Sequence, residues 1–401
     1  MTEKKNVPRL RFPCFADEWE QRKFEKITNR VSKSSGEKGL VRVEYEDIVS
    51  GQGKLNKDLS TKSSDKRGIE FEVGDVLFGK LRPYLQNWLF ADFKGIAVGD
   101  WWVLRSENHD AKFVYSLIQG DKYQLVANLS TGTKMPRSDW NVVSNTDFFV
   151  PKDIEEQAAI GSFFATLDRT IAIHQRKLEK TKSLKAAYLA EMFPAEGECK
   201  PKRRFAGFTD DWEQRKLGDV ANHRGGLAIE KYFDANGKYK VISIGSYGLD
   251  SIYVDQGIRA ISNQVTDERV INKGELAMVL NDKTSNGAII GRSLLISTDD
   301  EYAINQRTEI ISPKANLDAS FAYVMLNGPF RERVRRIVQG GTQIYVNYPS
   351  VENLTFELPS LEEQQKIGAF FATLDATITS HQHKLEKLQN LKKAYLNEMF
   401  V

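Results

Sequence analysis

The chain has 401 residues, of which 41% are hydrophobic, and a net charge of +3. That is ordinary for a globular protein, enough for more than one domain, and too close to neutral for bulk charge to announce nucleic acid, so any basic surface must be local. No apolar run approaches a membrane span, Met1 to Asn6 carries no signal-peptide core, and Cys14 and Cys199 form no metal-ligand spacing, which together point to a cytoplasmic protein with no membrane partner.

The chain opens on Phe12 to Phe24, ending Asp17-Glu18-Trp19-Glu20-Gln21-Arg22-Lys23-Phe24. This stretch returns 193 residues later as Phe205 to Leu217, with eight of 13 positions identical. The matching Trp19 and Trp212 are expected to anchor the start of each following body against its core.

The first body runs from about Glu25 to Val150. Val41 to Ile48, Ile69 to Val73, Val76 to Phe78, Ile96 to Val98 and Trp101 to Leu104 read as strands between turn residues. Phe113 to Ile118 and Lys122 to Asn128 read as helices.

A long helix follows. Ile160, Phe164, Leu167, Ile171, His174, Leu178, Thr181, Lys185, Tyr188 and Met192 alternate four and three apart, the spacing of a seam that faces a partner helix. The stretch from Glu155 to Phe193 recurs 207 residues later as Glu362 to Phe400, with 27 of 39 positions identical. Asp153 with Glu156 and Ser360 with Glu363 have capping-box spacing, and Pro194 closes the first copy. Thirty-eight helical residues would span roughly 57 Å. The economical arrangement buries the two seams against each other. His174 and His381 occupy the same seam position, where a polar residue fixes register; a metal held across the pair is the alternative.

The second body, about Gly218 to Glu357, is similar in kind. Tyr239 to Ile244, Leu276 to Leu280, Ala288 to Ile290, Ser293 to Ile296 and Thr308 to Ile311 read as strands, and Phe321 to Leu326 and Phe330 to Val338 as helices. The expected fold is α+β: two mixed α/β domains in a pseudo-twofold repeat, each followed by a long α-helix, the helices packing as an antiparallel coiled coil. The expected divisions are 1–150, the helix 151–195, 196–358 with a linker at 196–204, and the helix 359–401. The bodies share only landmarks, such as Gly74-Asp75-Val76 with Gly274-Glu275-Leu276. A constant frame carrying two different bodies suits a two-part, asymmetric target.

No phosphate loop, dinucleotide fingerprint, HExxH or paired-Cys site is present, and no nucleophile and base are placed together. This favours a binding protein whose chemistry lies in partners. Loops combining Lys or Arg with small polar and aromatic residues recur at matching places in both bodies. Their candidate nucleic-acid-contacting residues are Gln52, Lys54, Lys80, Arg82, Tyr84, Thr131, Thr133, Lys134 and Arg137 in the first, and Lys283, Asn286, Arg307, Arg331, Arg335, Thr342, Gln343, Tyr345 and Asn347 in the second. Cations neutralise phosphates; Arg, Gln and Asn also read base edges. On a helix Arg331 and Arg335 would share a face. A solvated turn is the plainer reading of any single loop.

Trp-Glu-Gln-Arg-Lys at 19–23 and 212–216, and Pro-Ser-Leu-Glu-Glu-Gln-Gln-Lys-Ile at 359–367 with its looser partner at 151–157, carry a family resemblance. So do Gly74 to Phe78 leading to Lys80-Leu81-Arg82-Pro83-Tyr84, and Leu326-Asn327-Gly328-Pro329-Phe330 leading to Gly340-Gly341-Thr342-Gln343. In these the chain resembles the specificity subunit of Type I restriction–modification enzymes, over essentially its whole length. The resemblance implies that each body is a target recognition domain for one half of a split sequence in double-stranded DNA, with the helices as spacer. It implies docking of methyltransferase subunits that bind S-adenosylmethionine and flip out adenine, and of ATP-dependent, Mg-requiring restriction subunits, with no cofactor bound by this chain. The second body lacks the Lys-Leu-Arg-Pro-Tyr stretch. Two competing readings are an enzyme acting on DNA itself and a coiled-coil scaffold whose bodies bind proteins or other ligands.

Overall fold

The computed structural model describes residues 7–59, 62, 64–129, 134–283 and 285–401. It divides into two compact units, Met1–Arg176 with Gln382–Val401, and Lys177–His381. The long helices Ile154–Glu191 and Leu361–Glu398 each supply residues to both units.

In the first unit the opening strand Glu20–Lys23 pairs antiparallel with Asp147–Val150, the strand that leads into the first long helix. One four-stranded sheet runs Asn29–Val31, Trp101–Arg105, Val76–Gly79, Trp88–Phe90 in spatial order, all antiparallel. Another runs Ser34–Ser35, Gly68–Phe71, Gly95–Ala97, Val41–Val43, and only its last pair is parallel. The strand Val76–Gly79 is buried on both faces, which is why it reads as an unbroken apolar run. Val76 and Phe78 enter one core with Trp19, Phe24, Phe113 and Phe148; Leu77 enters the other with Val43, Phe71 and Val103. Each such side chain, fully buried, contributes about 1.5–3 kcal/mol.

The second unit repeats this plan. Glu213–Lys216 pairs with Thr355–Leu358. The sheet Ala221–Gly225, Thr308–Pro313, Leu276–Val279, Ser293–Leu295 has the order of its counterpart, again all antiparallel. Leu276 and Met278 face the core built on Trp212, Phe321 and Phe371, and Ala277 and Val279 face the opposite one. A further sheet runs Arg259–Ala260, Tyr239–Ile242, Tyr302–Ile304, Val270–Ile271. The opening strand pairs and first sheets thus share a topology that their residues scarcely suggest, while the further sheet keeps a parallel pair but adds its edge strand, Arg259–Ala260, on the other side. Apolar volume and alternation specify such a core, and many side-chain sets supply both.

Within each unit the two helices run antiparallel. In the first, Phe163 packs edge-on against Tyr395 at 5.3 Å and Lys392 meets Asp168 at 2.6 Å. In the second, Tyr188 packs against Phe370 at 4.9 Å and Lys185 meets Asp375 at 2.5 Å. The seam residues Ile160, Phe164, Ile367 and Phe371 are buried. Gly161 and Gly368 let each helix press on the start of a shorter one, Ala111–Leu117 or Ala319–Asn327. A β-carbon there would stand 2.6 Å from the Phe113 nitrogen in the first case and 2.9 Å from the Phe321 nitrogen in the second.

Four local expectations are corrected. Val41 to Ile48 is not one strand: Val41–Val43 and Ile48–Val49 flank a 3-10 turn, Tyr45–Asp47. The buried Asp47 carboxylate accepts the Glu44 N–H at 2.9 Å and Lys62 Nζ at 2.6 Å, bending the chain. Ala288 to Ile290 is a turn whose carbonyls are held by arginines. The helix expected over Phe330 to Val338 spans Pro329–Arg336. Finally, Glu156 and Glu363 do not complete capping boxes. Asp153 caps the Glu155 N–H at 2.8 Å, while both glutamates are buried and bind Arg11 and Arg204.

Candidate nucleic-acid interface

In the first body two loops meet edge to edge. Leu81 bridges Arg137, the Arg82 N–H donates to Pro136 O at 2.7 Å, and the Ser138 N–H donates to Lys80 O at 2.8 Å. Lys80 and Arg137 converge on Asp100, at 3.6 and 3.2 Å. Arg82 is exposed, with left-handed φ of 48°, and starts the turn Pro83–Leu85 that presents Tyr84, 58% exposed. Lys134 is exposed; Thr131 and Thr133 lie outside the described residues. Gln52 is exposed on a neighbouring turn, joined through the Gly51 N–H to Gln86 O at 3.0 Å. Lys54 is turned towards the long helix, where its Nζ donates to Gln175 Oε1 at 2.9 Å.

The second body builds the matching place from different side chains. Strands Asn281–Asp282, Ile344–Tyr345 and Gln339–Gly340 form a small ribbon in that order. The Val346 N–H donates to Leu280 O and the Leu280 N–H to Arg307 O, both at 2.9 Å. The first body has the same ladder: Ser138 N–H to Lys80 O, then Lys80 N–H to Asp100 O at 2.9 Å. Leu280 therefore answers Lys80, and Arg307 answers Asp100, inverting the charge at one frame position. Asn281, Arg307, Tyr345 and Asn347 border a single concavity on this ribbon. Arg307 is exposed with φ of 65°, and Thr342 and Gln343 are exposed at the ribbon's tip. Lys283 and Asn286 are exposed on the adjoining turn.

Arg331 departs from the expectation. It is 8% exposed, and its guanidinium donates to Ile290 O, Gly287 O and Ala288 O at 2.9, 3.0 and 2.8 Å. It holds a turn and does not share an open face with Arg335, which is exposed and reaches Glu332 at 3.4 Å. Sequence reasoning missed Asp100, which sets the charge of the first loop pair, and Arg11 and Arg204. The signal for the arginines lay one residue before the opening repeat, in Arg11-Phe12 and Arg204-Phe205.

Residues 209–390 match the family model of the Type I restriction modification DNA specificity domain. The Type I restriction enzyme MjaVIII specificity subunit of Methanocaldococcus jannaschii is 24% identical over 322 residues, covering 77% of this chain and 74% of that protein. The chain is thus similar to Type I specificity subunits, and the match to the family's domain lies in its second body and the long helix after it. The HindI specificity subunit of Haemophilus influenzae is 25% identical over 201 residues, 48% of this chain and 41% of that one. Two solved structures share the fold of this chain. The Type I system S subunit from M. genitalium matches with a TM-score of 0.66 at 14% identity, over 98% of this chain and 99% of that chain. A chain from a study of complex assembly and conformational transition of the type I R-M system matches with a TM-score of 0.52 at 21% identity, over 94% and 96%.

Proposed function

We propose that this chain is the DNA sequence-specificity subunit of a Type I restriction–modification complex, binding a bipartite asymmetric target and positioning methyltransferase and restriction subunits on it. The observation that carries this is the shared ladder: one backbone frame presents Lys80, Asp100 and Arg137 in one body and Asn281, Arg307 and Tyr345 in the other. Two frames of one kind with different side chains are two readers of different sequences. Phosphate contacts position such readers, and side chains at base edges specify the sequence.

In this reading residues 1–150 and 196–358 are the target recognition domains, and 151–195 and 359–401 the spacer helices. The candidate side chains above, Arg331 excepted, are the contacting set. The chain supplies the address and no catalysis; S-adenosylmethionine, ATP and Mg belong to the partner subunits. The chain is taken to work on DNA in the cytoplasm; among the described residues no helix is long and apolar enough to cross a membrane. A body exchange tests the proposal. Replacing residues 25–150 with the corresponding body of another specificity subunit should change one half of the recognised sequence; a change in both halves would reject two independent readers.

A further inference from the structure

Three arginines gather around one turn of the second unit, and among the described residues only Arg335 of the three forms an ion pair, with Glu332. Arg331 gives three hydrogen bonds to the carbonyls of Gly287, Ala288 and Ile290. Arg292, half-buried, donates through Nε to Ala288 O at 3.0 Å and through another guanidinium nitrogen to Ser251 Oγ at 2.9 Å. Arg335 stands one helical turn beyond Arg331, its Nε 3.9 Å from where a Gly287 β-carbon would be. Among the described residues neither Arg292 nor Arg331 forms an ion pair with a carboxylate. Asp250, Asp282 and Glu332 are the acids nearby. Asp282 Oδ2 accepts the Ile289 N–H at 2.8 Å and Glu332 pairs with Arg335 at 3.4 Å; both acids also attract Arg331, more weakly than burial and the neighbouring arginines oppose its charge. Burial, then the charges of Arg292 and Arg335, push the Arg331 guanidinium down to about 10. Burial also lowers Arg292.

Arg292 and Arg331 are like charges largely out of water whose hydrogen-bond partners are all neutral, an arrangement costly to hold, and an anion arriving beside them lowers that cost. A guanidinium fork matches phosphate oxygens in a bidentate way. The turn also continues from Asn281–Asp282, the edge strand of the ribbon that carries Tyr345, so the cluster flanks the concavity of Arg307, Tyr345 and Asn347. In the first body the cations of the loop pair, Lys80 and Arg137, are instead paired with Asp100.

We propose that Arg292 and Arg335, set in place by Arg331 and joined by Lys283, form a clamp for phosphodiester groups of the DNA backbone beside the half-site read by the second body. The clamp rests on the DNA-reading function proposed above. Arg331 is its positioning residue; Arg292 and Arg335 present their remaining N–H groups to the phosphate.

The test measures the affinity of the complete complex, this chain with its methyltransferase subunits, for target and unrelated duplexes across a salt series. Arg335→Ala and Arg292→Ala should each flatten the plot of log affinity against log salt by about 0.9, one phosphate's worth. The loss should be equal on both duplexes, because phosphates carry no sequence. Arg335→Lys should keep the wild-type slope. Arg335 is exposed, so its variant is insulated from folding defects; thermal unfolding of Arg292→Ala checks the other. Unchanged slopes in both variants, with a wild type that binds duplex steeply, would overturn the clamp alone. A wild-type complex without salt-dependent duplex binding would overturn the DNA-reading function beneath it. Stabilisation of the chain by inorganic phosphate, abolished in Arg335→Ala while the DNA slopes stay unchanged, would make the cluster an anion site unrelated to DNA and also overturn the clamp.

Discussion

Arg204 grips Glu363 through two parallel hydrogen bonds of 2.6 and 2.8 Å, tying the start of the second body to the first turn of the second long helix. Arg11 grips Glu156 with the same two distances in the first unit. Both glutamates are buried, and Trp19 Nε1 adds a third bond to Glu156 at 3.2 Å. Removing the acid leaves a guanidinium largely out of water. Glu363→Ala should therefore destabilise the chain by about 3–5 kcal/mol in denaturant unfolding. A loss below about 1 kcal/mol would show that the pair is a surface contact with little weight.

The glycine contacts make a second structural prediction. Gly368→Ala should cost about 1–3 kcal/mol, because the helix must back away from the Phe321 amide and the Ser320 side chain. Gly161→Ala should behave alike against Phe113. Neutral or stabilising substitutions, as helix propensity alone would give, would contradict this packing.

The first loop pair separates two cations that look equivalent in the sequence. Lys80 is partnered by Asp100, whereas Arg82 is exposed at the mouth of the turn. Arg82→Glu should reduce duplex affinity by about tenfold or more and flatten the salt dependence by about one to two. Lys80→Glu should lose binding too, and also stability, since it sets two carboxylates together. Equal affinity of wild type and Arg82→Glu would remove this loop from the interface.

Arg307 and Asn347, exposed on the concavity of the second body, are proposed to read bases. Alanine at either position should relax specificity by about 1–3 kcal/mol at one or two base pairs within one half-site. Selection of bound sequences from a randomised pool would show it. Relaxation spread over both half-sites would mean that these residues act on the frame and not on bases.

The frame was legible in the sequence because it is written twice. Seam spacing and duplicated residues located both long helices, and the buried Trp19 and Trp212 anchor the bodies as their matched positions suggested. What escaped was long-range pairing of polar groups. Glu156 and Glu363 have the local spacing of capping residues, and only the fold brings arginines 145 and 159 residues distant to them. Arg331 and Arg335 sit on one short helix with similar neighbours, yet one faces carbonyls and the other solvent. The common topology of the bodies was hidden for a different reason. Leu276 to Val279 replaces Val76 to Gly79 with different side chains of the same alternation, which preserves the core and leaves little identity to align.

The most direct test of the central claim is to map methylated adenines at single-molecule resolution in cells that carry the partner methyltransferase, with and without this chain. The account predicts a split, asymmetric motif whose methylation disappears when the chain is absent and returns when it is restored. A methylome that is the same in both cells, with the methyltransferase demonstrably expressed, would contradict it.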